Sequence, residues 1–287
     1  MNNRLNITKT YKLYIDGKFV RSESGRFEAL QINEDSVVVN ICRASRKDFR
    51  NAVSSSRKAV DGWWARTAYN RSQILYRIAE TMDGRKEQFV EELQRFGMKT
   101  KAAEKEYESA VDRFVYYAGW ADKFQQLFST VNPVSSSHFN FSLPENQGVI
   151  AIMAPISSPL TGLVSLIAPA ICAGNTVVCL TSGNASLAGI TLAEALHASD
   201  VPAGVVNLLT GIESELAPHF ASHLDVNGIV YGGSDSHISK QIEVDAAENL
   251  KRVKIFLNGD WSDKAGQSPY DILQHCEIKT TWHPIGS

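Results

Sequence analysis

Cysteine is scarce, long apolar runs are missing and neither sign of charge dominates, and each shortage closes off a class of protein. Cys42, Cys172, Cys179 and Cys276 are the only four cysteines in 287 residues. They are scattered and form no CxxC pair, so no disulfide framework is expected. Cys172 and Cys179 lie in apolar surroundings and read as small buried hydrophobes. Cys276 follows His275 directly, but sequence neighbours point apart on a strand and do not stack on a helix, so adjacency makes no catalytic pair. The apolar stretches 163–173 and 176–180 are bounded by Gly162, Gly174 and Ser182, far short of the roughly 20 residues of a membrane span. With 29 basic and 31 acidic residues and a formal net charge of −2, the chain has no electrostatic footprint for nucleic acid. Residues 95–108 alternate Lys99, Lys101 and Lys105 with Glu104, Glu106 and Glu108, a solvated helix face. His219 and His223 share helical spacing, but with no intervening glutamate or third ligand they make a poor zinc site. No apolar segment follows Met1-Asn2-Asn3-Arg4-Leu5, so the cytoplasm is the expected compartment.

What is present divides the chain into regions. Residues 11–20 alternate on both sides of Asp16-Gly17, the short-range signal of a hairpin, expected at an edge. From Ser45 to Tyr117 apolar residues recur at helical spacing (Phe49, Val53, Ile74, Leu75, Ile78, Phe89, Leu93, Phe114), giving helices that bury one stripe. Trp63, Trp64 and Trp120 read as packing anchors on those stripes. A polar segment, 132–138, leads into a short strand, 139–143. From Gly148 onward apolar strand candidates at 149–153, 176–180, 205–209, 228–231 and 253–257 are separated by helical segments at 160–171, 185–195 and 237–247. Strands apolar on both faces with helices between them predict an α/β fold, a Rossmann-like doubly wound and mostly parallel sheet. The Gly-x-Gly-x-x-Gly fingerprint is missing after the first of these strands, where Ala154-Pro155-Ile156-Ser157-Ser158-Pro159 forms the bend.

In this order the motifs resemble the aldehyde dehydrogenase superfamily. The likeness rests on Asp16-Gly17-Lys18-Phe19, residues 71–82, Ala118-Gly119-Trp120-Ala121-Asp122-Lys123, 148–159, Ile167-Ala168-Pro169-Ala170 with Ala173-Gly174-Asn175-Thr176, Pro202-Ala203-Gly204-Val205-Val206-Asn207 with Thr210-Gly211, and Asn249-Leu250-Lys251-Arg252-Val253. It covers about residues 11–259, which in that family is the cofactor-binding domain with part of an oligomerisation arm. The organisation expected is an N-terminal hairpin and helical part over 1–138, an arm strand over 139–147, a Rossmann-like core over 148–260, and a tail over 261–287, turn-rich at His283-Pro284-Ile285-Gly286, in place of a catalytic domain of roughly 200 residues.

The positions the family uses for chemistry depart from its pattern. Ser157 stands where the resemblance places an asparagine that donates to the oxyanion, and reads as a turn or helix-capping residue. Leu180 stands at the lysine that binds the adenosine ribose, and leucine has no donor. Ser182 beside it leaves two readings open, a polar contact or capping of the next helix. Tyr231-Gly232-Gly233-Ser234 matches half of the pyrophosphate turn, with Ile238 at its closing glycine. Gly233 and Ser234 therefore remain candidates for a phosphate contact, helix N-capping being the other reading for Ser234. Phe256 stands at the general-base glutamate and cannot accept a proton.

The reading that follows is a catalytically inactive aldehyde dehydrogenase-like protein acting as an accessory, regulatory or structural subunit. It would be a homo-oligomer or a hetero-complex with a full-length aldehyde dehydrogenase, its arm strand lacking a carboxyl-terminal partner and open to another chain. No cofactor or metal is expected. One alternative is a non-catalytic nucleotide-binding module holding NAD or NADP weakly; another is an NAD(P)-dependent aldehyde oxidoreductase whose site a partner completes.

Overall fold

The computed structural model describes residues 9–32, 37–261 and 266–286. The chain opens with β1 (Thr10–Tyr11), then β2 (Leu13–Ile15) and β3 (Lys18–Val20) joined through Asp16 and Gly17. Both turn residues have positive φ, 54° and 70°, the left-handed geometry that matches the twist of a two-residue hairpin. A ribbon of β4 (Phe27–Ile32) and β5 (Val37–Cys42) follows, with β1 parallel to β5.

Four helices come next: α1 (Arg46–Trp64), α2 (Ala68–Asp83), α3 (Lys86–Phe96) and α4 (Thr100–Trp120). Ser45 and Asp48 form a capping box that starts α1, satisfying donors the first turn otherwise leaves bare. The helical spacing is realised as expected, and Trp63 is buried with its Nε1 donating to Ile171 O at 3.0 Å. Short α5 (Phe124–Phe128) leads into β6 (Thr130–Asn132) and β7 (His138–Asn146).

The α/β core runs β8 (Val149–Met153), α6 (Thr161–Cys172), β9 (Thr176–Thr181), α7 (Ala185–His197), β10 (Val206–Thr210), α8 (Glu213–Ser222), β11 (Gly228–Tyr231), α9 (Ser236–Ala247) and β12 (Arg252–Ile255). The sheet order is β12-β11-β8-β9-β10-β2-β3. Its five core strands are parallel and the hairpin is antiparallel at one edge. Ile150, Ile152, Val177 and Cys179 face the core under α6 and α2–α4, while Val149, Ala151, Val178 and Ile229 face the one under α1, α8 and α9. Strands buried on both faces have no polar alternation, which is why they read as plain apolar runs. Each fully buried Leu or Ile on α6, such as Leu163, Ile167 and Ile171, contributes roughly 2 kcal/mol of burial.

His283 and Pro284 belong to a strand and not to a turn-rich tail. After α10 (Pro269–Leu273), β13 (Cys276–Pro284) pairs antiparallel with the whole of β7, from Cys276 opposite Asn146 to Pro284 opposite His138. The arm is thus a three-stranded sheet, β13-β7-β6, and the arm strand has a carboxyl-terminal partner within its own chain. The Ser142 and Thr280 hydroxyls meet at 2.8 Å and Lys279 pairs with Glu145. Such cross-strand pairs fix register, and they lie far apart in sequence, beyond the reach of local pattern.

Among the described residues no helix is long and apolar enough to cross a membrane. All four cysteines are buried and unpaired. Burial raises the Cys172 and Cys179 thiols and pushes Cys276 up to about 12, so none of these three offers a thiolate.

Candidate functional site

In a doubly wound sheet the crevice lies at the carboxyl ends of the strands, where the connections leave in opposite directions. Here that place is the end of β8, between β9 on one side and β11 on the other. The bend after β8 carries Ser157, which is exposed and caps nothing. Glu106 of α4 does the capping instead. Its carboxylate accepts from Ser158 Oγ at 2.8 Å, Leu160 N at 3.2 Å and Thr161 N at 2.9 Å. The end of α6 that favours anions therefore already holds one from this chain.

Trp261 closes the same corner. A Cβ on Gly162 would lie 2.4 Å from Pro155 Cγ and 3.3 Å from Trp261 Cδ1, so only glycine lets the Pro155 bend and the indole pack against the start of α6. Phe256, just beyond β12, is half-buried and meets Trp261 edge-on at 5.3 Å between ring centroids. It serves as packing between sheet and chain end.

At the end of β9, Leu180 is buried in the core shared with Leu216 and Val178. Ser182 is also buried, and its hydroxyl has no partner. It does not cap α7, whose preceding residue Asn184 makes no side-chain cap either. The turn after β11 likewise differs from the sequence reading. Asp235, not Ser234, caps α9, accepting from His237 N at 2.7 Å and Ile238 N at 3.3 Å. Ser234 is exposed. A side chain on Gly233 would strike the Tyr231 ring at 2.5 Å, so this glycine is explained by an intrachain contact. Ile238 packs on the core beneath.

Sequence reasoning missed Glu213, the first residue of α8. Burial, and then the nearby Asp235 charge, push its carboxyl up to about 7. Tyr231, whose hydroxyl accepts from Asp235 N at 3.1 Å, is raised to about 12, chiefly by burial with the Glu213 charge adding. Glu213 follows the Thr210-Gly211 strand end, and an acidic residue opening a helix is the signal that marks it. The structure brings Glu213, Tyr231, Gly233 and Asp235 together, and the Phe256 backbone joins them, its N donating to Tyr231 O at 2.8 Å.

Residues 19–263 match the model of the aldehyde dehydrogenase family. The chain belongs to that family. It is 31% identical over 275 residues to the putative aldehyde dehydrogenase DhaS of Bacillus subtilis, covering 94% of this chain and 53% of that protein. An aldehyde dehydrogenase of Aspergillus niger is 31% identical over 280 residues, 96% of this chain and 54% of its own length. The crystal structure of a putative aldehyde dehydrogenase from Burkholderia cenocepacia superposes with a TM-score of 0.82 at 28% identity, covering 86% of this chain and 50% of that one. The NAD+ complex of the Bacillus cereus aldehyde dehydrogenase gives 0.81 at 25% identity, covering 87% and 51%. The chain thus spans about half the length of these relatives.

An aldehyde dehydrogenase fold implies a nicotinamide dinucleotide at these strand ends, and the residues present fit one poorly. A ribose needs donors where Leu180 offers none. A pyrophosphate needs positive potential, whereas here the Asp235 charge adds to the burial that raises the Glu213 carboxyl. Ser182 Oγ is the one orphaned buried donor among the residues singled out for cofactor contact. Among the described residues no group of three or more His, Cys, Asp or Glu could hold a metal. His219 and His223 are both lowered, first by burial.

Proposed function

We propose that this member of the aldehyde dehydrogenase family works through protein contact, as a non-catalytic accessory or structural subunit. The observation that carries the reading is one face of the three-stranded arm. Val131 of β6 lies opposite Phe141 of β7, and strand alternation puts Phe139 and Leu143 on the same side. Val131, Phe139 and Leu143 are 68%, 45% and 37% exposed, and the Phe139 and Phe141 rings lie 5.5 Å apart. The alternate residues Asn140 and Ser142 are buried. An apolar face turned outward over buried polar residues reverses the usual order and marks a surface for another chain. The non-catalytic half of the reading draws support from Ser157, Leu180 and Phe256 at positions the family gives to asparagine, lysine and glutamate, and from the carboxylates at the strand ends.

Sedimentation velocity of the purified chain, alone and mixed with a full-length family member, tests it. The expected result is a self- or mixed assembly that Phe139→Asp disperses while the far-ultraviolet circular dichroism is unchanged. A chain that sediments as a monomer in both settings contradicts the reading.

A second reading, a non-catalytic module for NAD or NADP, is favoured by the unpartnered hydroxyl of Ser182 beside Leu180. A buried hydroxyl without a partner costs about 1–3 kcal/mol, which a polar ligand would offset.

A further inference from the structure

The two faces of the central sheet are not covered alike. α9 packs on β12 from the side of Val253 and Ile255. On the opposite face α6 packs on β8 and β9, and beyond it a groove of about 340 Å³ runs along β8, β11 and β12 to residues 274 and 275. Its apolar floor is formed by Ile150 and Val230. Gly228 keeps that floor open, since a Cβ there would lie 2.8 Å from Gln147 Oε1 and 3.0 Å from Ile150 Cδ1.

The rim is basic. Arg252 and Lys254, two apart on the edge strand, project to the same side and both line the groove, whose lining includes no carboxylate. Arg252 is engaged, its guanidinium 3.6 Å from Glu277 and donating to Cys276 O at 3.4 Å. Lys254 stands over the Phe256 ring at 5.2 Å and makes no ion pair with any described residue. His275, 7% exposed, also lines the groove, and its ring nitrogens have no hydrogen-bond partner among the described residues. Burial, with the Lys254 charge adding, lowers its pKa to about 4. The imidazole is therefore neutral near pH 7, with one N–H to give. Gln147 holds the chain end in place, its amide donating to Gln274 O at 3.0 Å and Cys276 O at 3.3 Å.

We propose that this groove binds a small organic carboxylate, with the carboxylate on Lys254 and His275 and the apolar body on Ile150 and Val230. An ammonium that feels the Asp271 carboxylate but makes no direct ion pair, a buried imidazole without a hydrogen-bond partner and an apolar floor are complementary to an anion that carries a hydrocarbon tail. The site lies on the sheet face away from Glu213 and Asp235 and stands whether or not the arm binds a partner.

Calorimetric titration with sodium hexanoate, and in parallel with hexanamide, tests the proposal. The expected result is saturable one-to-one binding of hexanoate, weakened at least tenfold for hexanamide and, for hexanoate, at least tenfold by Lys254→Gln. Lys254 is exposed, so that variant keeps its fold. In imidazole-resolved NMR the resonance lost in His275→Gln moves on hexanoate addition. Failure to saturate by about 10 mM, equal affinity for the amide, or unchanged affinity in Lys254→Gln overturns it.

Discussion

Glu213 is a largely buried carboxyl at the strand ends, beside Asp235. Its carboxyl rises from the ordinary 4.5 to about 7 in the fold, by burial first and then by Asp235. A raised carboxyl pKa means that the folded state holds the proton where the unfolded chain has released it. Stability therefore falls as pH rises from about 4.5 to about 7, and the penalty is complete above that window. Glu213→Gln removes the titration. The variant is expected to exceed the parent by about 1–3 kcal/mol at pH 8 and to converge with it below about pH 5. Urea unfolding at the two pH values checks this, and equal midpoints at pH 8 would exclude the buried-carboxylate account. Of the site residues read from sequence, Leu180 and Phe256 were legible because an apolar side chain lacks donors wherever it points. Ser157, Ser182 and Ser234 were not. A hydroxyl beside a helix start suits capping, but Glu106 and Asp235 took that role at α6 and α9, and nothing local reveals that a carboxylate from α4 reaches the start of α6.

Among the elements, the parallel strands were legible to within a residue or two because each is apolar on both faces and bounded by turn residues. The ribbon of β4 and β5 was missed, since one side packs on Leu187 and Ile190 of α7 while Phe27 and Val38 stay exposed. β13 was missed because most of its residues are exposed and its partner lies 130 to 146 positions earlier by register. What anchors it to the core is Asn175, fully buried between α6 and β9. Its Oδ1 accepts from Gln147 N at 2.8 Å and Gly148 N at 2.9 Å, and its Nδ2 donates to Ala170 O at 3.1 Å and His275 O at 2.8 Å. Asn175→Ala leaves buried backbone groups unsatisfied and is expected to cost about 2–4 kcal/mol. A urea midpoint shifted by less than the equivalent of about 0.5 kcal/mol would show that these bonds do not hold the chain end.

At the scale of the whole molecule, one half of the architecture looks inward and the other outward. The α/β core covers both sides of its parallel sheet except at the groove beyond α6, and sets Glu106, Trp261 and Leu180 at its strand ends. The arm, by contrast, turns Val131, Phe139 and Leu143 to the outside and leaves the edge of β13 unpaired within the described chain. An open edge beside an apolar face invites pairing with another chain. The family and sheet type were readable from motif order. The completeness of the arm was not, because it depends on a long-range pairing that no short window records. Native mass spectrometry of the protein taken from its source cells, under conditions that keep nucleotides bound, tests the contact account most directly. The account predicts an assembly, with itself or with a full-length aldehyde dehydrogenase, in which this subunit carries no dinucleotide. A monomer carrying NAD or NADP would contradict it.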